Sequence, residues 1–67
     1  MANNFYKILI LFGKDDLWTK KNLLRSIKDE RMIDEVISLG YIKQCSVTDL
    51  GEPQYRITAL GIKIRDN

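Results

Sequence analysis

The sequence predicts a small α+β domain in which three helices precede a β-hairpin and a short helix follows it. Apolar residues recur at helical spacing as far as Leu39. From Tyr41 onward, strand-forming residues flank a turn cluster that contains Gly51 and Pro53. The chain has 67 residues, of which 45% are hydrophobic and 30% charged, so we expect residues 1–67 to form a single domain.

The first predicted helix spans Asn4–Phe12. Its apolar residues have the i, i+3, i+4, i+7 spacing of one helix face: Phe5, Ile8, Leu9 and Phe12. Gly13 is expected to cap its C-terminal end. A buried strand is the alternative, because Lys7–Phe12 is also a short, largely apolar run, but the Asn-rich start and the terminal glycine favour a helix.

The second predicted helix follows a polar turn at Lys14–Asp16. Leu17–Trp18 can form a short extended piece after that turn. Thr19 is a good N-cap residue, and the helix is expected to span Lys20–Ile27.

A break must separate this helix from the third one. At about 100° per residue, the apolar side chains of the second helix point nearly opposite to those that follow, so one straight helix cannot bury both sets. We place the break at Lys28–Asp29, with Asp29 as the cap of a third helix that ends at Leu39 before Gly40.

The last third of the chain predicts two strands and a short helix. Tyr41–Thr48 and Gln54–Thr58 are rich in strand formers, and the Asp49–Pro53 turn between them makes a hairpin. Thr58 can cap a final helix, which Gly61 weakens.

Two local phrases sharpen the comparison with known folds. The stretch VISLGYI at 36–42 resembles the L-x-x-x-G-[LY]-I phrase that closes the recognition helix and opens the wing in MarR-, PadR- and ArsR-like regulators. The stretch YRITALG at 55–61 resembles the Y-x-[LI]-T-x-x-G phrase that leaves the wing in the same group. With its element order, the chain resembles a winged helix-turn-helix domain, which implies duplex DNA binding through the third helix and a hairpin wing.

The chain departs from that pattern in two respects. The interval from Leu23 to Gly40 is shorter than usual, so either the turn is tight or the third helix is short at its N-terminus, the end that normally reaches base edges. The third helix is also acidic. Its charged residues are Asp29, Glu30, Asp34 and Glu35 against Arg31.

The basic residues provide the candidate DNA contacts. The resemblance implies that the third helix approaches the major groove through Arg31 and Ser38, and that Lys43 and Arg56 act from the wing. Phosphate contacts are assigned to the second helix and its end: Lys20, Lys21, Arg25 and Lys28. The alternative is a set of ordinary solvated charges, since the formal net charge is only +2.

A homodimer is expected through the first helix. If that helix buries its amphipathic face, Ile10 points away from the core beside Leu11, and Tyr6 extends the same surface. The alternative is a first helix that is buried on all sides.

Catalysis, cofactors and metals have no support in the sequence. The chain has no histidine and one cysteine, so a zinc site built from nitrogen and sulfur ligands is excluded, and Cys45 is expected to be a small buried group. No phosphate-binding glycine motif occurs. The lone cysteine indicates a reducing, cytoplasmic location, and the apolar run Ile8–Phe12 is too short for a membrane span.

Two functions remain at this stage. The first is a small DNA-binding transcriptional regulator and not an enzyme. The second is a protein-protein interaction module on the same scaffold, which would bind a protein partner through the acidic third helix.

Overall fold

Residues 5–66 are described by the computed structural model, and this part of the chain forms four helices and a three-stranded antiparallel sheet. The elements in chain order are α1 (Tyr6–Leu9), β1 (Trp18–Thr19), α2 (Lys20–Ile27), α3 (Glu30–Ser38), β2 (Ile42–Val47), β3 (Pro53–Ile57) and α4 (Ala59–Asp66). The predicted α+β class and the order of its elements are therefore confirmed.

The first helix is shorter than the sequence predicts. Regular α-helix covers only Tyr6–Leu9, and the chain then continues in tighter turns in which Leu11 and Phe12 donate to the carbonyl groups three residues earlier. The helical prediction is thus confirmed over the strand for this segment. The predicted start at Asn4 lies outside the described residues.

Gly13 does not cap α1, contrary to the sequence prediction. Among the described residues, the glycines with a left-handed φ are Gly40 and Gly51. Gly13 instead donates its N–H to Asp16 Oδ2 at 3.0 Å, so it opens the polar turn that leads towards β1.

Both of the middle helices begin at their predicted caps. Thr19 Oγ1 accepts the N–H of Asn22 at 3.1 Å, and Asp29 Oδ1 accepts the N–H of Met32 at 3.2 Å. Each bond satisfies one of the backbone donors that a helix start leaves without an intrahelical partner. The bounds of α2 agree with the prediction, and α3 ends one residue earlier than predicted.

The turn between α2 and α3 is tight. Only Lys28 and Asp29 separate the two helices, and Lys28 has a left-handed backbone with φ of 58°. Its N–H donates to the Leu24 carbonyl at 2.8 Å, which closes the end of α2. This tight turn therefore accounts for the short interval between Leu23 and Gly40 in the sequence.

The sheet has the order β1-β3-β2, so β3 is central. Trp18 of β1 faces Tyr55 of β3, and Lys43 of β2 faces Arg56 of β3. The register shifts between Gln44 and Ser46. Cys45 lies at this irregularity and is exposed, as are its neighbours in β2, so the prediction that Cys45 is buried is wrong.

A hydrogen-bonded turn closes the β2–β3 hairpin. The N–H of Thr48 donates to the Glu52 carbonyl at 2.8 Å, and Gly51 donates to the Thr48 carbonyl at 2.9 Å. Gly51 has a φ of 82°, a conformation that glycine adopts without steric cost. Thr48 Oγ1 also accepts the N–H groups of Leu50 and Glu52, which fixes the loop conformation.

The core lies between the helices and the inner face of the sheet. Its fully buried side chains come from every layer of the fold, and they are Ile8, Leu9, Phe12, Leu23, Ile33, Val36 and Ile42. Their burial explains the helical spacing in the sequence, because α2 and α3 each turn one apolar face inward.

The two phrases that carry the sequence resemblance meet at one joint. Thr58 Oγ1 donates to the Gly40 carbonyl at 2.6 Å, and the Thr58 N–H donates to the Tyr41 carbonyl at 3.0 Å. Thr58 Oγ1 also accepts the Gly61 N–H at 3.0 Å, as predicted for the cap of α4. A Cβ on Gly61 would overlap the Tyr41 carbonyl oxygen, so glycine permits this close approach.

The first and last helices pack against each other. Arg65 Nη1 donates to the Phe12 carbonyl at 2.9 Å, and the Arg65 guanidinium also bonds to the neighbouring Asp66. The end of α4 is thereby tied to the segment that follows α1.

Candidate functional site

One face of α2 is basic and exposed. Lys21 and Arg25 are four residues apart and therefore project from the same side of the helix, opposite buried Leu23. Lys28 follows at the α2–α3 turn, one further helical turn along. These three side chains make no ion pair within residues 5–66.

The outward face of α3 carries Arg31 and Ser38. They are seven residues apart and exposed, whereas Ile33 and Val36 on the opposite side are buried. Glu35 is exposed between them, and Arg31 makes no ion pair with it or with any other described residue. Arg31 is thus a free donor on the outward side of this helix.

Lys20 is engaged within the protein. Its Nζ lies 2.7 Å from Asp34 Oδ1 and 3.3 Å from Glu30 Oε2, and its side chain is 31% exposed. The hydrogen bond to Asp34 is the largest of the effects that raise the pKa of Lys20 above its usual value. Lys20, which the sequence assigns to phosphate contact, therefore already has two carboxylate partners on α3.

Lys43 and Arg56 face each other on the outer side of the hairpin. With Cys45 and Thr58 they line an open cavity of about 380 Å³, where the hairpin meets the start of α4. No carboxylate of residues 5–66 lines this cavity, although Arg56 Nη2 also lies 3.6 Å from Asp15 Oδ1. Lys43 has no such partner among the described residues.

A second open cavity, of about 440 Å³, lies between the start of α1 and α3. Lys7 and Arg31 both line it, together with Asp29 and Glu35. Lys7 is a candidate that sequence reasoning missed. No local pattern identifies it, because only the packing of the chain brings it next to Arg31.

Two of the three residues predicted to form a dimer surface are exposed in the structure, and the third is partly buried. Tyr6 is 50% exposed and Ile10 is 49% exposed, whereas Leu11 packs partly against the core. The exposed apolar surface of the first helical segment is therefore smaller than the sequence suggests.

The tip of the hairpin is apolar at its most exposed position, which sequence reasoning also missed. Leu50 is 86% exposed, and Val47 at the end of β2 is also exposed. Asp49 and Glu52 flank Leu50 in the turn, so this tip combines an apolar side chain with acidic neighbours.

Membrane-spanning helices and groups of metal ligands are both absent from residues 5–66. No helix within residues 5–66 is long and apolar enough to cross a membrane. In the same range, no group of three or more cysteine, aspartate or glutamate side chains lies close enough together to hold a metal ion.

Comparison with protein-family models, curated proteins and solved structures finds no match to this chain.

Proposed function

We propose that this chain is a winged-helix domain that binds duplex DNA as a small transcriptional regulator. The order of its elements, the tight turn between α2 and α3, and the β1-β3-β2 sheet with its hairpin support this proposal. In such domains the second helix of the helix-turn-helix lies in the major groove, which here is α3.

The observation that carries the proposal is a set of exposed cations that have no acidic partner among residues 5–66. They occupy α2, the turn, the outward side of α3 and the hairpin, and they are Lys21, Arg25, Lys28, Arg31 and Lys43. Free cations can exchange water and counterions for phosphate oxygens without first breaking an internal ion pair. The overall charge of +2 understates this local surplus.

Each group has a distinct part in the proposed complex. Lys21, Arg25 and Lys28 contact phosphates and fix the orientation of the domain. Arg31 and Ser38 reach base edges, where a guanidinium can donate two hydrogen bonds to guanine. Lys43 contacts the backbone from the hairpin, which serves as the wing.

The test is a titration of the protein with an AT-rich random duplex, followed through Trp18 fluorescence and backbone amide shifts. We expect shifts in residues 20–31 and in the hairpin. With about four phosphate contacts, affinity should fall by about 150-fold between about 50 and 200 mM salt. A flat salt response, or no binding at low salt, would contradict the proposal.

A homodimer remains part of the proposal. Tyr6 and Ile10 are half-exposed on the first helical segment, and a two-fold contact through this surface would present two DNA-binding units to two half-sites. Sedimentation of the wild-type protein over a range of concentrations tests it, with a monomer throughout as the contradicting result.

A protein-docking module is the second candidate function. Leu50 is 86% exposed on a turn fixed by hydrogen bonds, and its neighbours Asp49 and Glu52 would be repelled by phosphate. These features favour a partner protein whose surface has an apolar pocket for Leu50 and basic residues around that pocket. A protein that shows no DNA binding at low salt would move this candidate to first place.

A further inference from the structure

We propose that Lys20 is an internal counterion for α3, which neutralises the acidic side chains of that helix so that it can lie against DNA, and that Lys20 itself does not contact DNA. This inference rests on the proposed DNA-binding function. It assigns to Lys20 a positioning role in place of the phosphate contact that its location at the start of α2 suggests.

The geometry joins one ammonium group to two carboxylates on the neighbouring helix. Lys20 Nζ lies 2.7 Å from Asp34 Oδ1 and 3.3 Å from Glu30 Oε2. Glu30 and Asp34 are four residues apart, so they share one side of α3. Lys20 is the first residue of α2, directly after the Thr19 cap, and the packing of α2 on α3 brings it to that side.

A lysine suits this position better than an arginine. Its ammonium group carries three donors on one atom, so a single point charge can bridge carboxylates that arrive from two directions. A guanidinium is planar and pairs best with one carboxylate in a two-pronged geometry. The hydrogen bond to Asp34 and the ion pair with Glu30 match the first arrangement.

The charge on α3 explains why such a counterion matters. Its carboxylates Glu30, Asp34 and Glu35 outnumber its one guanidinium, Arg31. With Glu30 and Asp34 held by Lys20, the exposed acids that remain are Glu35, next to Arg31 on the outward face, and Asp29 at the N-cap. The negative charge that the sequence shows on this helix is therefore partly neutralised by Lys20 of the same protein.

The first experiment follows lysine side-chain ammonium resonances by NMR in the wild-type protein, free and saturated with an AT-rich duplex at low salt. The variants K20Q and K21Q assign the two signals. We expect the Lys21 signal to shift on binding, while the Lys20 signal and the Asp34 carboxyl carbon signal remain in place. A Lys20 signal that shifts as far as that of Lys21 would overturn the inference.

The second experiment measures duplex affinity in a mutant cycle. K20Q should weaken binding by about three- to tenfold at low salt, because it uncovers two carboxylates near the phosphates, and the loss should shrink as salt screens them. In the wild-type protein, the K20Q loss should be smaller than that of the matched K21Q, because Lys20 is held by two carboxylates and Lys21 is free to contact phosphate. In a background that carries E30Q and D34N, Lys20 is released as a free cation, so the K20Q loss should grow to the size of the K21Q loss. A K20Q loss that already equals the K21Q loss in the wild-type protein, and that does not grow in this background, would also overturn the inference.

Two controls separate the possible failures. Exposed ion pairs contribute little to stability, so K20Q should fold, and its amide spectrum checks this. If the wild-type protein fails to bind duplex at low salt, the proposed function fails, and the inference fails with it. If the wild type binds and the Lys20 signal shifts, the inference alone fails.

Discussion

Replacement of Lys28 with glycine should stabilise the protein and weaken the proposed DNA binding at the same time. Lys28 occupies the α2–α3 turn with a left-handed φ of 58°, and it is the only non-glycine residue among those described that has a positive φ. A side chain in this conformation brings Cβ close to the following carbonyl oxygen, whereas glycine has no Cβ to clash.

The expected gain follows from two opposing contributions. Relief of the left-handed conformation contributes about 1–2 kcal/mol to stability. Glycine also increases the entropy of the unfolded chain, which costs about 0.5–1 kcal/mol. The net gain for K28G is about 0.5–1 kcal/mol, which raises the melting temperature by roughly 2–8 °C in a domain of this size.

The assay pairs denaturation with DNA titration for K28G, K28A and the wild type. K28A removes the same charge but retains Cβ, so its stability should stay within about 0.5 kcal/mol of the wild type. Both variants should weaken DNA binding equally and reduce the slope of log affinity against log salt by about 0.9, because each loses one phosphate contact.

Two results would refute this reasoning. A K28G protein that is no more stable than K28A would show that the left-handed turn stores no strain at Lys28. A K28A protein that binds DNA with wild-type affinity and salt dependence would remove Lys28 from the DNA contact surface.

Three further predictions follow from other parts of the structure. G61A should destabilise the protein by about 1–3 kcal/mol, seen as a lower denaturation midpoint, because the new Cβ overlaps the Tyr41 carbonyl oxygen; a neutral effect would contradict this close packing. Charge reversal in D34K/E35K should strengthen duplex binding at low salt if the DNA proposal is right, and an unchanged or weaker affinity would favour the docking module. I10E should convert the proposed homodimer to a monomer in sedimentation without loss of helical signal, and a dimer that persists in I10E would place the contact elsewhere.

The sequence predicts the fold best where the determining contacts are local. The caps at Thr19 and Asp29 act on backbone groups three residues away, so both helix starts could be located without tertiary information. The opposed apolar faces likewise required a break at Lys28–Asp29. Gly13 shows the limit of such rules, because its nearest partner proved to be the Asp16 carboxylate of the next turn.

The candidate site was predicted less well because its geometry depends on distant residues. Lys20 meets Asp34 fourteen positions later in the chain, and no spacing rule on one helix anticipates a contact between two helices. Cys45 is exposed together with the rest of β2 after Ile42, and a strand-forming composition does not show which part of a strand other elements cover. The low helical propensity of Gly61 can be noted from the sequence, whereas the close approach of the Tyr41 carbonyl, which explains why glycine stands there, depends on the fold.

The hydrogen bond from Arg65 to the Phe12 carbonyl spans 53 positions of a 67-residue chain. Contacts of such long sequence separation carry a high loop-closure entropy and form late in folding. Because α4 and the α1 segment pack against each other, deletion of α4 should destabilise the α1 segment as well as the C-terminal end of the domain. The domain should therefore unfold as one cooperative unit, and protease resistance at Phe12 should depend on residues near position 65.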